Sequence, residues 1–232
     1  MARTKDMTTG TPWKLILSFF VPLFLGNCFQ QVYNLVDTII VGKGISDSAL
    51  AAVGSTGSLH FFVFGFVIGL TNGVAIPMAQ AFGSGNADRL KKVIAMGFVS
   101  CMSVGILFSV LSVVGSDFLL NLLQTPADIF ALARRYMVII FGGLFITVLY
   151  NFFSCLLRAI GDSKTPLYSI VLSSLVNVGL DILLVIVFHW GVAGAARATI
   201  LSQGISAVLC LIYIIKKVPI LRPLRNHWKL NK

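Results

Sequence analysis

The sequence predicts an all-α integral membrane protein with six transmembrane helices. Two observations carry that reading. The chain of 232 residues is 57% hydrophobic and only 11% charged, with a mean hydropathy of +0.92, whereas soluble domains carry about 25% charged residues. Its apolar stretches are also long and nearly free of charge, and a helix needs about 20 mostly apolar residues to cross a bilayer.

Six windows meet that requirement. The first runs from Trp13 to Val41 and the second lies between Asp47 and Asp88. The third is Val93 to Gly115, the fourth Tyr136 to Leu157, the fifth Leu167 to Trp190 and the sixth Val192 to Ile215. Length and sparse alternation favour helices over a β-barrel, whose strands read as short alternating segments. The first window is too long for a cleavable signal peptide, and no small-residue cleavage site closes it. Residues 1–12 then form a cytoplasmic N-terminus, 13–217 the transmembrane lobe, and 218–232 a basic cytoplasmic tail or linker between lobes.

The basic residues set the expected orientation. Arg3, Lys5 and Lys14 precede the first helix, and Arg89, Lys91 and Lys92 lie between the second and third. Arg158 and Lys164 lie between the fourth and fifth; Lys216, Lys217, Arg222, Arg225, Lys229 and Lys232 follow the sixth. The opposite side carries Lys43, Arg134, Arg135 and Arg197. Both termini of this multi-pass protein are therefore expected in the cytoplasm, with the helices in the cell membrane. The net charge of +10 follows from that topology, and no nucleic-acid partner is expected.

Breakers mark the turns. Gly83 and Gly85 in "AFGSGNADRLKK" end the second helix, and a basic turn starts the third. No strand precedes this loop and no Gly-Lys-Ser/Thr follows, so it is not a phosphate cradle. Pro126 interrupts "LLQTPADIF", with Asp128 near the next helix start. In "RAIGDSKTP", Gly161 is a stop and Pro166 sits at a helix start. Pro22 and Pro77 lie inside helices, where a proline frees a backbone carbonyl and permits a bend. The four cysteines, Cys28, Cys101, Cys155 and Cys210, are read as free, buried apolar residues.

Asp181 stands out. All eight acids are aspartates, and this one sits in the oily run "SSLVNVGLDILLVIVFHW". An intramembrane acid is a functional-site hypothesis by default. Asn177 lies one turn before it on the same face. In the first helix Gln30, Asn34 and Asp37 share a face, with Tyr33 beside it, and in the sixth Thr199 and Gln203 are one turn apart. Three helices can thus bring carboxylate, amide and hydroxyl oxygens to one cavity. Asp181 precedes Trp190 by about 14 Å of helix, which places it in the outer half, and Asp37 is also near the outer end of its helix. Asp37 is alternatively an interfacial helix-end acid, and Asp181 alternatively a structural partner of Arg197. His189 reads as an interfacial anchor. Converging oxygens of this kind suit H⁺ or, in sufficient number, Na⁺ at Asp37, Asn177, Asp181 and Thr199. No P-loop, hydrolytic triad or metal cluster is visible, so the chain is read as a non-enzyme without a cofactor.

Five segments in order carry a family resemblance: "PLFLGNCFQQVYNLVDTIIVG", "AQAFGSGNADRLKK", "LLRAIGDSKTP", "NVGLDILLV" and "GVAGAARAT". Together they resemble the N-terminal lobe of the multidrug and toxic compound extrusion (MATE) family, over nearly the whole chain. The resemblance implies one six-helix lobe of a two-lobe, twelve-helix transporter. It implies export of cationic or amphipathic drugs by antiport with H⁺ or Na⁺. It assigns Asp37, Asn177, Asp181 and Thr199 to ion coupling, Gln30 and Tyr33 to the substrate cavity, and Pro22 to helix bending. Asn34 and Gln203 join the cavity by their shared helix faces. Two departures stand: these residues supply one lobe, so a second six-helix lobe or a homodimer is expected as partner, and Arg197 replaces a usually apolar residue. The alternatives are a lipid-linked saccharide flippase of the same superfamily and a non-transporting membrane fragment that binds a partner.

Overall fold

A computed structural model of the chain describes residues 11–221, all of whose regular structure is helical. The basic residues Arg3, Lys5, Arg222, Arg225, Lys229 and Lys232 lie outside the described residues. Helix α1 spans Pro12–Gly44, α2 Asp47–Ser55, α3 Gly57–Gly83, α4 Ala87–Val114, α5 Ser116–Leu122, α6 Ala127–Gly142, α7 Leu144–Ala159, α8 Lys164–Asp181 and α9 Val192–Lys217. Five of these spans (α1, α3, α4, α8 with its extension, α9) are individually long and apolar enough to cross a membrane. The sixth is the bent pair α6 and α7.

The expected breakers act where the sequence puts them. Gly85 and Gly161 take φ values of 70° and 84°, the left-handed region that glycine enters at least cost. The Asn86 side chain accepts a hydrogen bond from the Arg89 N–H at 2.9 Å and so caps α4. Asp162 is buried in the α7–α8 turn and accepts from the N–H groups of Lys164 and Thr165 and from the Thr165 hydroxyl, which starts α8. Pro166 lies in that first turn. Pro126 directly precedes α6.

Three expectations need correction. The fourth window, read as Tyr136 to Leu157, is not one straight helix. The span runs from Ala127 to Ala159 and bends by 43° at Gly143. A Cβ built on Gly143 would lie 2.4 Å from Ile200 Cδ1, so the missing side chain lets α9 approach the bend. The Ser109 hydroxyl on α4 donates to the Phe141 carbonyl at 2.6 Å, supplying an external donor at the interruption. The fifth window is helical only as far as Val187. After Asp181 the backbone shifts to a π-helix over Ile182–Val187, a local widening that is frequent at functional sites. Finally, Cys28 is exposed rather than buried, while Cys101, Cys155 and Cys210 are buried and free. The cause is the position of α1, which packs mainly on α8 and leaves most of its surface uncovered.

The interior is built around α7 and α9, which pack on α4, α6 and α8. Phe141, Leu144, Val148 and Phe152 are sealed inside. The small residues of "GVAGAARAT" bring α9 against the π segment. A Cβ on Gly194 would sit 3.0 Å from the Leu184 carbonyl oxygen, the close backbone approach that small residues allow between membrane helices.

Candidate ion and cavity site

Helix α8 packs on both α1 and α9, and that packing gathers the polar residues singled out above. Asp181 is wholly buried and Asn177 is 1% exposed, on the α8 face turned toward these neighbours. Asp37 comes from α1 and is half-buried. Its carboxyl interacts directly with that of Asp181. Neither Asp181 oxygen, neither polar atom of the Asn177 amide, nor Asp37 Oδ1 has a hydrogen-bond partner among the described residues. Buried polar groups are almost always satisfied, and an orphaned one costs about 1–3 kcal/mol. Two adjoining carboxyls without a donor call for positive charge between them, as a proton or a cation.

Around this pair the polar side chains form a connected rim. Tyr33 lies close to the Gln30 and Gln203 side chains and to both acids. Gln203 in turn accepts a hydrogen bond from the Thr147 hydroxyl, which links α1, α9 and α7. Thr199 is buried and donates back to the Ala195 carbonyl at 3.1 Å. An enclosed space of about 70 Å³ is lined by Gln30, Tyr33, Thr147, Asn151, Asn177 and Gln203. That volume accommodates water or a bare cation, not a drug-sized molecule. It adjoins a larger cavity of about 600 Å³, which Gln30 and Asn151 also line.

Gln30, Tyr33, Asn177 and Gln203 line this small space, whereas Thr199 and Asn34 are not among its lining residues. Asn34 is exposed and its amide is 3.3 Å from the Gln31 side-chain oxygen. It lies outside the small cavity because the inward row of α1 runs through Gln30, Tyr33 and Asp37, with Asn34 rotated toward its edge. Pro22 is buried within a continuous α1 and lines the larger cavity. Arg197 is exposed, its guanidinium 5.0 Å from the centre of the Trp190 ring. The ion pair found among the described residues joins Arg134 to Asp117, far along the chain from Asp181. The structure thus does not pair Arg197 with Asp181. His189 is exposed in the turn before α9, with φ 53°.

The sequence reading missed Tyr136, a buried tyrosine on α6 within electrostatic range of Asp37, Asp181 and Tyr33. It also missed the serines of the α8–α9 seam, where Ser173 donates to the Ser202 carbonyl and Ser206 to the Ser169 carbonyl. No group of three or more His, Cys, Asp or Glu gathers among the described residues.

Known proteins share this arrangement of helices. A profile described as MatE matches residues 22–183. A probable multidrug resistance protein, YpnP of Bacillus subtilis, is 35% identical over 97% of this chain and 51% of its own length. A probable multidrug resistance protein, NorM of Thermotoga maritima, is 27% identical over 88% of this chain and 44% of its own. A solved outward-facing conformation of a multidrug resistance MATE family transporter of the MOP superfamily superposes with a TM-score of 0.88 at 25% identity, covering 96% of this chain and 49% of that one. The chain spans about half the length of the curated relatives it matches.

Proposed function

The chain belongs to the MatE family of membrane transporters, and on that premise we propose that it is one lobe of a secondary transporter exporting cationic or amphipathic small molecules in exchange for H⁺ or Na⁺. One observation carries the reading. Asp37 and Asp181 adjoin across the α1–α8 seam with buried oxygens that no described donor satisfies. A cation taken up there removes the repulsion between α1 and α8, and its release restores it. Ion occupancy thereby biases how α1 packs, and α1 is the least buried of the long membrane-spanning helices. Binding of the ion to one arrangement and of the drug to another couples the two, because each ligand shifts the equilibrium only by its differential affinity.

Asp181 and Asp37 supply the charge, Asn177 and Thr199 neutral oxygens, and Gln30, Tyr33 and Gln203 the polar wall toward the substrate. A second six-helix lobe, from a longer polypeptide or from a second copy of this chain, faces the apolar, uncovered side of α1. Relatives about twice as long, named as probable multidrug resistance proteins, support that partner and that substrate class. The experiment is ethidium efflux from cells expressing the chain together with a second lobe, driven in turn by imposed H⁺ and Na⁺ gradients. Efflux accelerated by one gradient is the expected result. Efflux that ignores both gradients contradicts antiport.

A further inference from the structure

The larger cavity has a chemistry of its own. It is an open cavity of about 600 Å³ between the first half of α1, the second halves of α3 and α7, and the start of α8. Its walls are mostly apolar, but one end carries hydrogen-bond donors. Arg158 is the one side chain of unconditional charge in its lining, and no acid lines it. The neighbouring Asp162 is occupied by the α8 backbone and Thr165 and makes no ion pair with Arg158 among the described residues.

Arg158 is half-buried, and among the described residues its hydrogen bond goes to the Cys155 sulfur at 2.9 Å. A thiol sulfur is a weak acceptor for a guanidinium with five donors. Cys155 in turn donates to Asn72 Oδ1 at 3.2 Å, which orients the Asn72 amide N–H₂ away from the sulfur. The Ser163 hydroxyl, at the foot of α8, lines the same end. Three donors, a net positive charge and no competing carboxylate make an anion site.

Position and access say which anion. Arg158 is in the last turn of α7, so the donors lie at the headgroup depth of one leaflet. α1 packs on α8 and α3 packs on α4 and α7, while α1 and α3 both line the cavity without packing closely on each other. Exposed Ile76 of α3 lines the cavity. An amphiphile entering sideways from the bilayer would seat its chain on the apolar walls and its headgroup on Arg158.

We propose that this cavity binds an anionic phospholipid, its phosphate held by Arg158, Asn72 and Ser163 and its acyl chain passing out between α1 and α3. Basic pockets between membrane helices recognise acidic headgroups in this way, and the guanidinium fork matches phosphate oxygens. The site is separate from the Asp37–Asp181 pair and does not depend on ion coupling.

Native mass spectrometry of the purified full chain tests it, with phosphatidylglycerol and phosphatidylcholine as probes at equal concentration. Phosphatidylglycerol is retained about tenfold more than phosphatidylcholine in the wild type, the scale of one charge-assisted hydrogen-bonded contact. Arg158→Gln abolishes that preference. Ile76→Trp, at an exposed position that leaves the core untouched, also lowers phosphatidylglycerol retention by narrowing the gap. Asp181→Asn leaves the preference intact, which separates this site from the coupling site. Equal retention of the two lipids by the wild type overturns the proposal, as does an undiminished preference in Arg158→Gln or in Ile76→Trp. Displacement of phosphatidylglycerol by millimolar inorganic phosphate also overturns it, by showing that the site takes free phosphate. If Arg158→Gln does not fold, Ile76→Trp and Arg158→Lys decide: Lys keeps the charge and retains part of the preference.

Discussion

The carboxyls of Asp37 and Asp181 meet across the seam between α1 and α8, and no described donor reaches either Asp181 oxygen. This pair is costly in a membrane interior. Replacing one member by its neutral amide removes the electrostatic cost while keeping the shape. Asp181→Asn is therefore expected to leave the fold intact and to raise stability by about 1–2 kcal/mol, while it abolishes ion-coupled efflux. Thermal unfolding and efflux on the same preparation check both parts. A destabilised Asp181→Asn protein would mean that the acid holds the fold together.

Arg197 gives the complementary result. Its guanidinium lies over Trp190 and not on Asp181, so Arg197→Leu is expected to cost no more than about 1 kcal/mol, the scale of an exposed cation–π contact. Ion coupling should be unchanged. Adding Arg197→Leu to Asp181→Asn should restore nothing. Recovery of transport in the double variant would show that the two residues are partners.

The bend between α6 and α7 rests on two contacts that mutagenesis can separate. Ser109→Ala removes the hydroxyl donating to the Phe141 carbonyl, and loss of that buried bond is expected to destabilise the protein by about 1–3 kcal/mol. Gly143→Ala forces a Cβ into Ile200 and should cost a similar amount by overpacking, about 1–3 kcal/mol. Gly143→Ala with Ile200→Ala should recover part of that loss, which urea unfolding in detergent will report. A Gly143→Ala protein as stable as wild type would place the bend elsewhere.

Much of this was legible in the sequence. The spans follow from hydropathy, the turns from Gly85, Gly161, Pro126 and Pro166, and the candidate site from one acid in an apolar run with an amide one turn away. The direction in which each helix faces was less legible. A membrane helix is apolar toward lipid and toward its neighbours alike, so its pattern does not separate the two, and Cys28 and Asn34 were assigned inward for that reason. The bend at Gly143 left no signal because two adjacent glycines are ordinary in membrane helices. Tyr136 was invisible because its partners come from α1 and α8, and only the packing of α6 brings them near. The π segment after Asp181 replaces one hydrogen-bond register by another in "ILLVIV", a run with no breaker to announce it.

Orientation is open to direct test. Cysteines introduced at Asn86 and Ser46, at the α3–α4 and α1–α2 turns, should react with an impermeant maleimide from opposite sides, position 86 from the cytoplasm and position 46 from outside. The reverse pattern would invert the topology deduced from the basic residues.

The central claim is that Asp37 and Asp181 form the cation site, and cation binding to the purified chain tests it most directly. Proton release on adding Na⁺, or on adding a cationic drug, is measured with a pH indicator for the wild type, Asp37→Asn and Asp181→Asn. The account requires the wild type to release protons or to bind Na⁺ saturably, with both signals lost in each variant and only weakened in Asn177→Ala and Thr199→Ala. Undiminished signals in Asp181→Asn would place the coupling ion at another site and contradict the account.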